Sequence, residues 1–232
     1  MKRIIGVLAL CAVLWAAIPS SAWAFTGDDP NGLPNYTSPE ETATYAAYDQ
    51  WVDYGLPAMP DGPYKYLYTQ TCPQERAYWC GPAATQTVLT FFGLKPSQAT
   101  LAARLGTTTN GTPFSRVDDV LRAYTTAKYA YASMGNSSAF YNHVVYSLLM
   151  KDRPIIVDVR IRAPWGPYRK DHAGHIIALD CFDWRSVTVR LDDSYDEEAW
   201  QTGGGDTGGH VTYNRSLVWN ALALHPAHAI VF

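Results

Sequence analysis

Several kinds of protein are excluded by what this sequence lacks. Its 18 lysines and arginines form no run, and the formal net charge is −3. Chains that hold nucleic acid or an anionic membrane surface gather their basic residues into a patch, so neither partner is expected. There is no C-x-x-C pair and no cluster of histidines, which argues against zinc and leaves no cofactor expected. No internal repeat is visible. The glycine-rich stretch Thr202 to Gly209 lacks the strand, lysine and helix that surround a phosphate loop, and reads as a mobile loop or a lid. Beyond the first two dozen residues no segment is long and apolar enough to span a bilayer. Charge is sparse at 17% against 47% apolar residues, a globular rather than a disordered balance. The 232 residues suffice for one domain with a full core.

The N-terminus reads as a signal peptide, residues 1–24. Lys2 and Arg3 supply the positive end, Ile4 to Ile18 the apolar stretch, and Ser21-Ala22-Trp23-Ala24 the small residues a signal peptidase reads. Cleavage is expected after Ala24, which makes the protein secreted, or extracellular. No integral membrane segment would then remain. Cys11 follows Leu10 rather than a small residue, which argues against a lipoprotein site. Removing the signal leaves Cys72, Cys80 and Cys181. An odd count in an exported chain suggests one disulfide beside one thiol. If Cys80 is the thiol, Cys72 and Cys181 could pair; the other pairings, and three reduced thiols, stay open.

Residues 25–63 read as an N-terminal arm and helix, the helix being Ala43 to Tyr54 behind Ser38-Pro39-Glu40-Glu41. Residues 64–232 form the main domain. A short strand is predicted over Tyr64 to Tyr68. Helices follow at Trp79 to Phe92, after Ser97, at Pro113 to Tyr124 and at about Ser138 to Met150, each with apolar residues at helical spacing. After Pro154 the pattern turns to strands: Ile155 to Ile161, His175 to Asp180, Ser186 to Leu191, His210 to Tyr213 and Ala229 to Phe232. Helices first and strands second indicate an α+β fold with an antiparallel sheet.

The chemistry-bearing segment is Gln74-Glu75-Arg76-Ala77-Tyr78-Trp79-Cys80-Gly81-Pro82-Ala83-Ala84. Cys80 stands at the start of a helix, with Pro82 suited to an early helical position. Free N–H groups and a partial positive charge at a helix N-terminus stabilise a thiolate and make the thiol a nucleophile. Gly81 is read as keeping the approach to the sulfur open. Gln74, six residues earlier, can bring its amide back toward the sulfur; with the backbone N–H of Cys80 it would make a two-donor oxyanion hole. His175 opens an apolar strand after Gly174 and is the candidate base, with His172 its nearest rival. The next strand ends in Leu191-Asp192-Asp193-Ser194-Tyr195 and returns to the same end of the sheet. A carboxylate there can accept the imidazole Nδ1–H and fix its tautomer. Asp192 and Asp193 project to opposite faces if extended, so one of the two serves.

These elements, from Gln74 to Tyr195, resemble the C39-like peptidases of the papain-like superfamily: Gln-x5-Cys-Gly-Pro-Ala, then Gly-His and an apolar strand, then Asp at the end of the next strand. The resemblance implies a papain-like fold, with the nucleophile at a helix N-terminus packed on the sheet. It also implies a cysteine peptidase acting on a peptide or protein, with catalytic residues Gln74 (oxyanion), Cys80 (nucleophile), His175 (base) and Asp193 (orienting). Asp193-Ser194-Tyr195 is similar to the Asn-Ser-Trp of papain-like enzymes and to the Asp-Pro of C39-like ones, with Ser194 where the proline would stand. The chain has no transporter part of the kind the best-known members carry, so double-glycine specificity is not implied. Two other readings use the same scaffold. One is a non-catalytic exported module binding through its many tyrosines and tryptophans. The other is an amidase or acyltransferase acting on a cell-wall peptide.

Overall fold

The computed structural model describes residues 64–232. The expected signal segment and the arm and helix of residues 25–63 lie outside the described residues. The strand order is β2-β7-β3-β4-β5-β6, and β1 adds to the far part of β4; every pairing is antiparallel. The strands are β1 (Tyr64–Tyr66), β2 (Tyr131–Ser133), β3 (Ile155–Ile161), β4 (His172–Asp183), β5 (Thr188–Asp193), β6 (Gly209–Asn214) and β7 (Ala229–Val231).

Three helices precede the main strands. Helix α1 (Cys80–Phe91) is buried along nearly its whole length. Ser97 caps α2 (Gln98–Leu105) by accepting the Thr100 N–H, and the left-handed Gly106 closes it. A 3-10 turn (Phe114–Arg116) leads into α3 (Val117–Tyr124). Val88, Leu101, Leu105, Val117 and Leu121 pack with Ile156, Ile176 and Ala178 on one face of the sheet. The opposite face of β3 and β4 carries Val157, Val159, Ile177 and Leu179, covered by a second helical layer. That layer is α4 (Ser137–Val145, continued by a π turn, Tyr146–Met150) and α6 (Arg215–Leu224). Strands buried on both faces need no alternation, which is why β3 and β4 read as continuous apolar runs.

Three elements were not expected: β2, a short helix α5 (Glu197–Trp200), and α6. Helix α6 follows β6 directly. Asn214 is both the last residue of that strand and the N-cap, its side chain accepting the Ser216 N–H at 2.9 Å. Among the described residues no helix is long and apolar enough to cross a membrane.

Gly81 has a packing reason beside the one expected. A Cβ there would lie 2.6 Å from Thr112 Cβ, so the glycine lets the Thr112 loop approach α1. Thr112 is fully buried and its hydroxyl lies 2.8 Å from that of Thr107. Gly81→Ala should therefore destabilise the domain by about 1–3 kcal/mol through overpacking. Urea unfolding measures this; an unchanged midpoint would show that Thr112 can move aside freely.

Candidate active site

Cys80 is the first residue of α1 and is fully buried. Trp79, at the N-cap, gives no side-chain hydrogen bond, and the first turn holds no acidic residue. No acidic side chain of that first turn therefore offsets the positive helix end beside the sulfur. A second donor comes from the sheet: the Ile176 N–H points at Cys80 Sγ, 3.4 Å away. Hydrogen bonds and dipoles of this sign favour a thiolate over a thiol. The sulfur thus lies against β4 one residue beyond His175.

His175 is fully buried on the opposite side of its strand from Ile176. The register that sets Ala178 opposite Asp192 carries Asp193 toward Ile177, so His175 is a diagonal neighbour of Asp193 on one face. Asp193 Oδ1 lies 2.8 Å from His175 Nε2. The expectation that the carboxylate would take the Nδ1–H is corrected here. The farther ring nitrogen spans the diagonal, and Nδ1 has no hydrogen-bond partner. Asp193 is otherwise saturated: Oδ1 accepts the Tyr195 N–H at 2.9 Å and Oδ2 the Tyr168 hydroxyl at 2.6 Å.

The adjacent Asp192 faces the other way. Its Oδ1 pairs with His210 Nε2 at 2.5 Å, and Oδ2 accepts from the Thr69 hydroxyl. Possible ligand atoms of Asp180, Asp192 and His210 lie within 4.8 Å of one another. However, Arg190 already donates to both oxygens of Asp180, with Nε at 2.8 Å. A cation there would have to compete with that guanidinium.

Gln74 is nearly buried and tied to the same corner, its N–H donating to Ser194 O at 2.9 Å. Its Nε2 donates to Arg76 O at 2.8 Å, and that carbonyl also accepts the Trp79 N–H at 3.0 Å. The amide therefore closes the turn that delivers Trp79 and Cys80 to the helix, and has one further N–H to give. No disulfide joins Cys72 and Cys181. Cys72 Sγ contacts Gln70 O at 3.4 Å. Burial pushes the Cys181 thiol up to about 12 and raises that of Cys72.

His172, the rival base, is the first residue of β4 and not a loop residue. It has its own partner, Glu197, with Nε2 at 2.8 Å from Oε1. Burial lowers the His172 pKa against the pull of that hydrogen bond, which favours the neutral ring. The Glu197 carboxylate also accepts the backbone N–H groups of Arg169 (2.8 Å), Lys170 (2.9 Å) and Gly205 (2.7 Å). Burial would raise the Glu197 pKa, but the hydrogen bonds together hold it below the ordinary value. The segment Thr202 to Gly209 is a loop up to the start of β6, as expected, and this clamp ties it to Glu197. Gly204 and Gly205 are buried, and a Cβ on either would run into the backbone of Glu197 or of Pro167.

Sequence reasoning missed Tyr168 and Glu197. The only signal for them was indirect: glycines that no phosphate loop explained, with an acidic residue just before them.

A thiol at a helix tip beside an antiparallel sheet, with helices on the near face, makes the fold α+β. The chain belongs to the Peptidase_C39 like family, whose model matches residues 64–222. Family membership makes it a peptidase by class. Three solved structures are similar. Xylellain, a cysteine protease from Xylella fastidiosa, is 14% identical, with TM-score 0.47 and coverage of 69% of this chain and 82% of that one. The peptidase domain of Streptococcus ComA, a bi-functional ABC transporter involved in a quorum sensing pathway, is 15% identical, with TM-score 0.43 and coverage of 71% and 97%. A double glycine motif protease from an AMS/PCAT transporter, in complex with the leader peptide, is 12% identical, with TM-score 0.45 and coverage of 72% and 92%. No curated protein matches the chain.

The His172–Glu197 pair has a pH signature. A histidine whose folded pKa is depressed stabilises the fold above its unfolded pKa of about 6.5 and loses that contribution as pH falls through it. Glu197, also depressed, loses its contribution at lower pH, below about 4.5. Urea midpoints should thus fall between pH 7.5 and 4, and His172→Gln should flatten the upper part of that decline. An unaltered slope in the variant would mean that His172 ionises equally in both states.

Proposed function

We propose that the protein is a secreted cysteine peptidase that hydrolyses peptide bonds through a thioester acyl-enzyme. Cys80 is the nucleophile, His175 the base, Asp193 the orienting carboxylate and Gln74 an oxyanion donor. One observation carries the reading. Asp193 takes His175 Nε2 at 2.8 Å and leaves Nδ1 as the reacting nitrogen, while the sulfur lies 3.4 Å from the N–H of the very next residue.

His175 Nδ1 accepts the Cys80 proton, and the thiolate attacks the scissile carbonyl carbon. The oxyanion is held by the Cys80 N–H and by the Gln74 N–H not given to Arg76. Collapse breaks the C–N bond, and the Nδ1 proton passes to the leaving amine. A water then gives its proton to Nδ1 and attacks the thioester. As that tetrahedral intermediate collapses, the acid leaves and the proton returns to sulfur. The neutral Cys72 and Cys181 thiols stay out of the chemistry, since burial keeps both protonated near pH 7. The absence of a disulfide at Cys80 favours this reading over the binding module.

Hydrolysis of a mixed peptide library, read by mass spectrometry, tests the assignment. Cys80→Ala should lower kcat/KM by about 10³-fold or more with the unfolding midpoint little changed, and His175→Ala should lower it as far while also lowering the midpoint, since it takes a donor from the buried Asp193. Wild-type rates in Cys80→Ala would remove the proposal. Export carries its own check: the N-terminus of the secreted protein should be Phe25, and an intact Met1 in the medium would contradict cleavage after Ala24.

A further inference from the structure

Tyr168 is fully buried in the turn between β3 and β4, where packing alone would be served by phenylalanine. A hydroxyl taken out of water needs a partner, and this one points at Asp193 Oδ2, 2.6 Å away. Burial, with the Asp193 charge beside it, raises the phenol pKa well above its usual value. The group is therefore a donor at every working pH.

The chain fixes Tyr168 from several sides. Its N–H donates to Trp165 O at 3.0 Å, closing a tight turn through Gly166 at φ +54°. Trp165 stacks on Tyr213 at 4.5 Å between ring centroids. The two residues after Tyr168 give their N–H groups to Glu197, and Gly205 packs on the Pro167 carbonyl. The Tyr168 ring meets His175 edge-on at 6.1 Å and His172 at 5.2 Å, and Tyr195 meets both imidazoles from its own side at 5.7 and 5.3 Å.

We infer that Tyr168 is a positioning residue for the proposed base: its hydroxyl pins Oδ2 of Asp193 so that Oδ1 is presented to His175 Nε2, and the Glu197–His172 clamp holds Tyr168 in place. This rests on the reading of His175 as the base. Two effects follow. The carboxylate cannot rotate away from the imidazole, and part of its charge is drawn toward the phenol, which limits how strongly it stabilises the imidazolium. The titratable groups around His175 are Asp193, Tyr168, Tyr195 and His172, with Glu197 behind His172, Tyr213 behind Asp193, and Cys80 at the N–H of the next residue, Ile176.

The test uses the whole exported chain and iodoacetamide, so no substrate need be known. The rate of Cys80 alkylation is followed by mass spectrometry from pH 4 to 10, alongside the ¹⁵N shifts of His175. In Tyr168→Phe, Asp193 keeps more charge against the ring. The alkaline step, where the imidazolium loses its proton, should then move up by about half a unit or more, and hydrolysis of the peptide library should fall about 10-fold. Placing 3,5-difluorotyrosine at 168, which keeps the ring and strengthens the donor, should move the step down. This variant serves if Tyr168→Phe does not fold. A residue that merely packs would lower the unfolding midpoint and leave both steps and shifts where they are; that result overturns the inference. Alkylation indifferent to His175→Ala would instead defeat the base assignment and the inference with it. Sensitivity to His175→Ala but not to either change at 168 defeats the inference alone.

Discussion

Asp193 holds a carboxylate in the protein interior, at 2% exposure, and much of the chain from Trp165 to Thr207 is organised around that constraint. A buried charge is tolerated only with its oxygens occupied by donors. Here the donors come from three places: the histidine of the neighbouring strand, the backbone two residues on, and a tyrosine from the preceding turn. The last is the demanding one. The turn must be held at a fixed height over the sheet, and Glu197 does this by taking the N–H groups of Arg169 and Lys170. Glu197 is in turn an unusual buried carboxylate, offset by four donors. Two carboxylate-centred networks are thus stacked, one against the sulfur and one behind it, with Tyr168 and Tyr195 as the wall between them.

The fold was legible where side-chain period and end signals agreed. Ser97 and Gly106 bracket α2 as read, and the β-branched run after Pro154 is β3 residue for residue. Boundaries slipped where the sheet carries irregularities. β4 begins at His172 rather than His175 because a bulge beside Val159 lets the pairing run on to Ile161, and a second bulge near Asp180 extends it to Asp183. Helix α6 was missed although Val218, Ala221 and Leu222 have helical spacing. A strand that passes into a helix with no intervening turn residues leaves no punctuation to read. β2 and α5 are too short to show a period at all.

The site was legible in a more limited sense. Residue types and order picked out Cys80, His175 and the acidic strand end as candidates, because each suits a particular local setting: a helix tip, a strand mouth, a return to the same edge. The ring nitrogen that meets the carboxylate could not be read, since it depends on the diagonal offset between β4 and β5. Tyr168 and Glu197 were out of reach for the same reason, since they act through space across a fold that sequence spacing does not encode. The glycines at 204 and 205 left a mark but an ambiguous one. Glycine permits close backbone approach as readily as it permits mobility, and here the approach is what the structure uses.

The Asp192–Asp193 pair shows why the register of β5 is so tightly specified. Sliding a strand by one residue exchanges its two faces. For most strands that would mix apolar with polar contacts; here it would exchange two carboxylates with different partners. Asp192 meets His210 and Thr69, and Asp193 meets His175, Tyr168 and the Tyr195 N–H. After a slip, each carboxylate would be buried without its donors, and each histidine would face the wrong strand position. The apolar residues of β5 add to the same preference, with Val189 and Leu191 in the α4–α6 core on the face of Asp193. Arg190 instead shares the face of Asp192 and meets Asp180. The polar pairs and the apolar alternation therefore select one register together, and that register is what brings a carboxylate to His175, one residue before the N–H that meets the sulfur.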